Sequence, residues 1–339
     1  MTARARLSLL PRLVPGLLPG LALALLALSF GAVLIGPLSL SPGEVLRALT
    51  GQGEPQAQTV IWAIRLPRIG AALLLGAALA AAGASYQALF RNPLVSPDIL
   101  GVSAGAGLGA VAGIFLSLPV AAIQATAFVG GMAAVGVVTL IATLVRNTDR
   151  TLTLVLIGVV IGALAGAATS LLKVLADPYD QLPAITFWLL GSLASITAGD
   201  ILPALPAVAL GLVPLVLLRW RINVLTLGDD EARALGIEAG RTRFLVIVAA
   251  TLITASVTAL AGVVGWVGLV IPHIARMLVG PGFGRLLPVS LLIGAGYVLV
   301  VDTLARSIAQ IEVPLGILTA VIGAPFFIWL LARGRRGWT

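Results

Sequence analysis

Residues 69–90 read IGAALLLGAALAAAGASYQALF, with no charged side chain from Ile69 to Phe90. A helix needs about 20 mostly apolar residues to cross the hydrocarbon core of a bilayer. This run meets that length, and arginines bound it at RLPR (65–68) and RNP (91–93). Similar runs recur at 14–36, 98–117, 119–145, 152–175, 200–218, 243–262, 264–279, 286–309 and 315–332, the 264–279 run being short. With the first they number ten. The stretch ITFWLLGSLASIT at 185–197 is apolar but too short to span, and reads as a half-helix or interfacial segment. The longest polar stretch, Ser39 to Arg68, reads as a loop with a short helix near Glu44–Leu49.

Composition agrees. Of the 339 residues, 59% are apolar and 10% charged; a soluble domain carries roughly 25% charged residues. About 200 apolar residues supply about ten spans of about 20 each. This excludes a soluble enzyme, a disulfide scaffold and a disordered chain. The runs are also too long and uninterrupted for an outer-membrane barrel, which needs short alternating strands. The expected fold is therefore an all-α polytopic membrane protein, residues 1–339 forming one integral membrane domain with no separate soluble domain. The first run, Val14 to Gly36, exceeds the apolar core of a signal peptide and reads as an uncleaved first helix.

A net charge of +8 would suggest nucleic acid in a soluble chain. Here it reads as loop charge that orients the protein, and no nucleic-acid partner is expected. With ten alternating spans and a cytoplasmic N-terminus, sixteen of the 21 basic residues fall on the cytoplasmic side. They are Arg4, Arg6, Arg12, Arg91, Arg146, Arg150, Arg219, Arg221, Arg233, Arg241, Arg243, Arg276, Arg285, Arg333, Arg335 and Arg336. Arg47, Arg65, Arg68, Lys173 and Arg306 fall outside or within the membrane. Both termini are then cytoplasmic.

No residue set looks catalytic. There is no cysteine and one histidine, so neither a Cys-ligated metal nor a His-based site is expected, and no cofactor is implied. The sole lysine, Lys173, lacks the Gly-x-x-x-x-Gly-Lys context of a phosphate-cradling loop, so ATP energy would have to come from a partner chain. Glycines four apart at 101, 105, 109 and 113, and at 158, 162 and 166, suit close helix packing, with a pathway lining or dimer seam as the alternative. His273, after Pro272, reads as a polar helix end. Asp302 and Arg306 are spaced to pair on one helix face, or Arg306 reaches the outer surface. Arg65 and Arg68 flank Pro67 just outside the second helix, where they either snorkel to headgroups or meet an acidic partner.

The loop at 222–240, INVLTLGDDEARALGIEAG, is the most informative polar stretch. Asp229, Asp230 and Glu231 open a short helical pattern and Leu235-Gly236 closes it. A helix there is not needed merely to join two spans, so it reads as a contact for a cytoplasmic partner. A faint repeat also appears: an apolar helix, Gly83, the turn at Asn92-Pro93 and GVSAG at 101–105, against an apolar helix, Gly262, a turn at Pro272 and GAG at 294–296. The copies would run in opposite topology, a device of transporters.

These blocks together resemble the FecCD-type permeases, the membrane subunits of ABC importers for ferric siderophores, haem and vitamin B12. The resemblance spans Arg65 to Arg333. Its carriers are RLPR (65–68), QALFRNPLVSPDILGVSAGAG (87–107), FWLLGSLA (187–194), LGDDEARALG (227–236), GLVIPHIAR (268–276), DTLAR (302–306) and PLGILTAVIGAPFFIWLL (314–331). It implies the type II importer fold, with about ten helices and an inverted internal repeat. It also implies a second permease subunit (the same or a sister chain), a cytoplasmic ABC ATPase dimer and an extracytoplasmic substrate-binding protein. By the same resemblance, Gly228, Asp229, Asp230, Glu231, Ala232, Leu235 and Gly236 couple to the ATPase. Arg65, Arg68 and Arg306 dock the binding protein. Asn92, Leu94 and, more loosely, Thr151 belong to the cytoplasmic gate. The expected function is import of an iron chelate, ferric siderophore first, with haem or vitamin B12 as alternatives. The rival class, an ion-coupled secondary transporter, should show buried acids in the bundle, and only Asp302 comes close.

Overall fold

The computed structural model describes residues 3–145, 150–309 and 311–333. Arg146, Arg335 and Arg336, counted above for orientation, lie outside them. Every regular element among the described residues is helical. In chain order these are α1 Ala3–Leu34, α2 Pro42–Leu49, α3 Pro55–Thr59, a π-helical segment Val60–Arg65, α4 Leu66–Leu89, a 3₁₀ turn Pro97–Leu100, α5 Val102–Phe115, α6 Val120–Leu144, α7 Arg150–Leu175, α8 Gln181–Leu190, α9 Ala198–Leu217, α10 Arg219–Leu225, α11 Asp229–Ala234, α12 Ala239–Ala261, α13 Val267–Val279, α14 Phe283–Ala305 and α15 Leu315–Arg333. Seven stretches are long and apolar enough to cross a membrane, and α5, α8, α13 and α15 are shorter apolar helices.

Burial ranks the spans. The stretch containing α4 and the helix α12 are each 78% buried, against 11% for α1 and 17% for α9. The chain is thus built around α4, α12 and α14, with lipid-facing helices outside. α4 and α14 run antiparallel in close contact: a Cβ on Gly76 would stand 2.0 Å from the Gly294 carbonyl oxygen. Gly83 meets Gly268 of α13 as tightly, at 1.9 Å. With no net hydrophobic drive between helices in lipid, such backbone approach is how packing energy is gained. The glycines of α5 serve the same end, since Cβ atoms on Gly105 and Gly109 would strike the carbonyls of Gly130 and Thr126 on α6. In α7 the stripe divides. Gly158 packs on Ile99, whereas Gly166 faces open space.

Several boundaries differ from the sequence expectation. The second span starts at Pro55, so Arg65 and Arg68 sit inside a continuous helix rather than in a loop before it. Pro67 is accommodated because the π segment precedes it: the Leu66 amide bonds the Ile61 carbonyl, five residues back, loosening the turn into which the proline ring would clash. The expected short helix near 44–49 is α2, closed by a Ser41–Glu44 capping box. The half-helix is α8, earlier than 185–197, and it ends at Gly191. Pro272 is not a turn but lies within α13; the break falls at Gly262–Trp266.

The chain breaks meet one another. The Ser192 amide donates to the Ala261 carbonyl at 2.8 Å, and Leu315 to Gly191 at 2.9 Å. Irregular backbone at membrane depth must be satisfied by protein, and here each break supplies partners to the next. Gly262 (φ +74°) is required: a Cβ there would lie 2.2 Å from the Trp188 carbonyl oxygen.

Candidate functional site

Chemistry-bearing side chains gather at the two ends of the bundle. At one end, the start of α4 meets the end of α14. Arg68 Nε donates to both oxygens of Asp302 (2.9 and 3.0 Å), and its Nη1 donates to Glu312 at 2.6 Å. Arg306, one turn beyond Asp302, holds its Nε 3.9 Å from that carboxylate, and its Nη2 donates to the Ala32 carbonyl at 2.7 Å. Arg65 donates to the carbonyls of Val33, Leu34 and Leu38. Ala32, Val33 and Leu34 end α1, whose last carbonyls have no partner of their own; cations at that negative pole answer both the hydrogen bonds and the dipole.

This arrangement alters the meaning of the arginines. Arg65, Arg68 and Arg306 are only 2%, 5% and 7% exposed. They do not snorkel outward; they tie α1, α4 and α14 together. Asp302 is wholly buried and committed to Arg68. Glu312 is the member that reaches the surface, its side chain 38% exposed. Nothing local in the sequence signals it, since it lies 244 residues from Arg68.

The other end carries α11. Gly228 enters it at φ +146°, and Gly236 leaves it at φ +75°. The Gly236 amide donates to Arg233 and the Ile237 amide to Ala232, the paired bonds of a Schellman ending. Ala232 is buried and anchors the helix. Asp229 is bound by Arg243 of α12, Nη2 to Oδ1 at 2.8 Å and Nη1 to Oδ2 at 3.2 Å. The Arg243 guanidinium holds the Asp229 carboxyl below the usual carboxylate value, with smaller help from Arg91 and Arg233. Asp230 and Arg233 form an exposed pair at 3.5 Å. Glu231 is also exposed. Leu235 and the preceding Leu227 stand 54% and 63% exposed, apolar side chains at the tip of a polar segment.

Beside α11 lies the turn after α4. Asn92 Oδ1 accepts from the Leu94 amide at 2.9 Å, closing the turn. Leu94 lines a narrow crevice with Pro93, His273, Phe326 and Phe327, so the turn meets α13 and α15. Thr151 sits in the first turn of α7, which approaches this region through Gly158 and Ile99. Gln87 bridges further. Pro272 has no N–H to offer the Gly268 carbonyl, and Gln87 Nε2 donates to Gly268 (3.4 Å) and Leu269 (3.2 Å) instead. Gln87 Oε1 in turn accepts from Arg276 at 3.0 Å. No local pattern in the sequence marks the pairings of Gln87 and Arg243, which join different elements at separations from 14 to 189 positions. Among the described residues no His, Cys, Asp or Glu group could hold a metal ion.

Comparison with known proteins bears on the chain as a whole. The family model of the FecCD transport family matches residues 21–333. The chain is 40% identical to the molybdate import system permease protein MolB of Haemophilus influenzae, covering 96% of this chain and 98% of that one. It is 43% identical to the cobalamin import system permease protein BtuC of Halobacterium salinarum, over 82% of this chain and 75% of that one. Among solved structures, a metal-chelate type ABC transporter in an inward-facing conformation superposes with a TM-score of 0.87 at 39% identity, covering 94% of this chain and 99% of that one.

Proposed function

The chain belongs to the FecCD transport family, and from that premise we propose that it is the permease of an ATP-driven importer whose cargo is an iron chelate, ferric siderophore first. It is a multi-pass membrane subunit of the ABC importer type. Relatives of similar identity carry names as different as molybdate and cobalamin, so cargo is the finer part of this proposal. The metal-chelate description of the structural neighbour supports the choice of an iron chelate.

The observation that carries the mechanism is α11, a capped six-residue helix pinned by Asp229–Arg243 with Leu227 and Leu235 projecting from it. Apolar side chains fixed on a rigid polar rim suit docking of a protein partner. We assign that partner as the ABC ATPase dimer, which places α11 in the cytoplasm with both termini, in a bacterial inner membrane. The second permease subunit follows from the same family reading. In the proposed cycle, ATPase closure displaces α11, the motion reaches the bundle through Arg243, and the gate at Asn92, Leu94 and Thr151 changes state. The crevice that Leu94 shares with α13 and α15 supports that role.

The opposite face is proposed to receive the substrate-binding protein. Arg65, Arg68 and Arg306 then act by holding that face together, with Glu312 as the contact reachable from outside. An acidic partner would be repelled by Glu312 and drawn to the arginines behind it, so Glu312→Gln, which leaves a more basic face and frees Arg68, should raise binding-protein affinity in a salt-sensitive way. An unchanged affinity would count against docking here.

The deciding experiment is uptake of labelled ferric siderophore, haem and cobalamin into liposomes holding this chain, its ATPase and its binding protein. Uptake of one of them only with ATP inside is expected. Uptake driven by an ion gradient without ATP would reject the importer reading.

A further inference from the structure

A cleft opens between α6 and α12 beside the root of α11. It encloses about 270 Å³ and is lined by Gly136, Thr139, Leu140, Leu154, Arg243 and Phe244, among others. Its walls are apolar and continue onto a lipid-facing surface: Leu140 and Phe244 are more than half exposed. The two threonine hydroxyls of α6 there are already bonded to their own helix, Thr139 to the Val135 carbonyl and Thr143 to Leu140. The cleft's charge is Arg243, 6% exposed, whose Nη atoms hold Asp229 and whose Nε has no partner. Gly240 also lines the cleft, in the first turn of the 23-residue helix α12, and Glu238 at its N-cap makes no side-chain cap bond. Free N–H groups and the positive pole of the helix therefore lie next to a buried guanidinium. Arg241 adds a surface cation, and the acids nearby are Asp229, already paired, and Glu238.

We infer that this cleft binds one anionic phospholipid of the cytoplasmic leaflet. Its phosphate meets the first turn of α12 and Arg243, and an acyl chain lies against Leu140 and Phe244. A buried cation between spans, open to lipid on an apolar side, matches an amphiphile with a negative head; a free anion would leave the apolar walls uncovered. Through the Arg243–Asp229 pair the lipid then steadies α11. The leaflet assignment rests on the orientation proposed above.

The test uses the full chain in nanodiscs of phosphatidylcholine with added phosphatidylglycerol, followed by native mass spectrometry of retained lipid. Phosphatidylglycerol should be retained in preference to phosphatidylcholine. Arg243→Gln should lower its retention about fivefold, the factor that one basic residue contributes at an anionic leaflet. Gly136→Leu should lower it comparably by projecting into the cleft, where a Cβ at Gly136 meets nothing within 4 Å, and an unchanged melting temperature checks that the fold is kept. Undiminished retention in Gly136→Leu overturns the site. Equal retention of the two lipids reduces it to an apolar cleft, and displacement by inorganic phosphate alone makes it a soluble-anion site; either result rejects the proposal. Uptake is read separately, so a chain that retains lipid but imports nothing fails the importer reading and leaves this one standing.

Discussion

At the scale of single residues, the two ion pairs have opposite characters. Arg68–Asp302 is buried on both sides, so removing one partner strands a charge in the protein interior. Arg68→Ala should destabilise the fold by about 3–5 kcal/mol, whereas replacing both partners with apolar residues of similar volume should recover only part of the loss, because Arg306, which is buried, and Glu312 then lose their own partners in the cluster. Thermal unfolding of the purified variants checks this. Equal instability of single and double variants would mean that the pair adds more than charge compensation. Asp229–Arg243 is half open to solvent and governs local order instead. Because Asp229 titrates below its usual value in the folded chain, its contribution is complete above the ordinary carboxylate range. It fades only as pH falls through the lowered value, below the unperturbed 3.8. The anchor is therefore constant around neutrality. Asp229→Asn should speed deuterium exchange across residues 228–237 at pH 7, and unchanged exchange there would show that Ala232 alone holds α11.

At the scale of elements, glycine positions separate into contact and open sites. Gly76 faces the Gly294 carbonyl at a distance no Cβ can occupy, while Gly166 meets nothing within 4 Å. Gly76→Ala should cost about 1–3 kcal/mol through overpacking of α4 against α14. Gly166→Ala should be neutral or stabilising, since alanine is favoured over glycine in a helix by about 1 kcal/mol. Melting temperatures of the two variants test the contrast. The i,i+4 pattern in the sequence marks Gly158 and Gly166 alike and omits Gly76, because a pattern on one helix cannot tell which neighbour comes near. The same limit explains the second span. Pro67 between two arginines reads as a helix boundary, yet the π segment and the carbonyls of α1 let the helix run through it.

At the scale of the whole molecule, the proposed function depends on how a short polar helix is presented to a partner. Leu227 and Leu235 are expected to be the centre of that contact. Leu235→Glu should weaken association with the ATPase at least about fivefold, as loss of more than ~1 kcal/mol at a buried anchor does, without altering the melting temperature of the isolated permease. Co-purification in a titration series measures it. Intact affinity would move the coupling contact away from α11.

The sequence alone determined the membrane class, the ten apolar runs, the position of α11 and the family, because each rests on short-range quantities: hydropathy over about 20 residues, capping chemistry and ordered motifs. Only the tertiary structure decided that the three arginines face inward, that Glu312 completes their cluster, that Gln87 answers the carbonyl freed by Pro272, and that Arg243 ties α11 to the bundle. Those pairings join residues between 14 and 244 positions apart. A buried charge or orphaned carbonyl must find a partner, but its strength as a demand says nothing of where along the chain the partner lies; packing alone makes that choice.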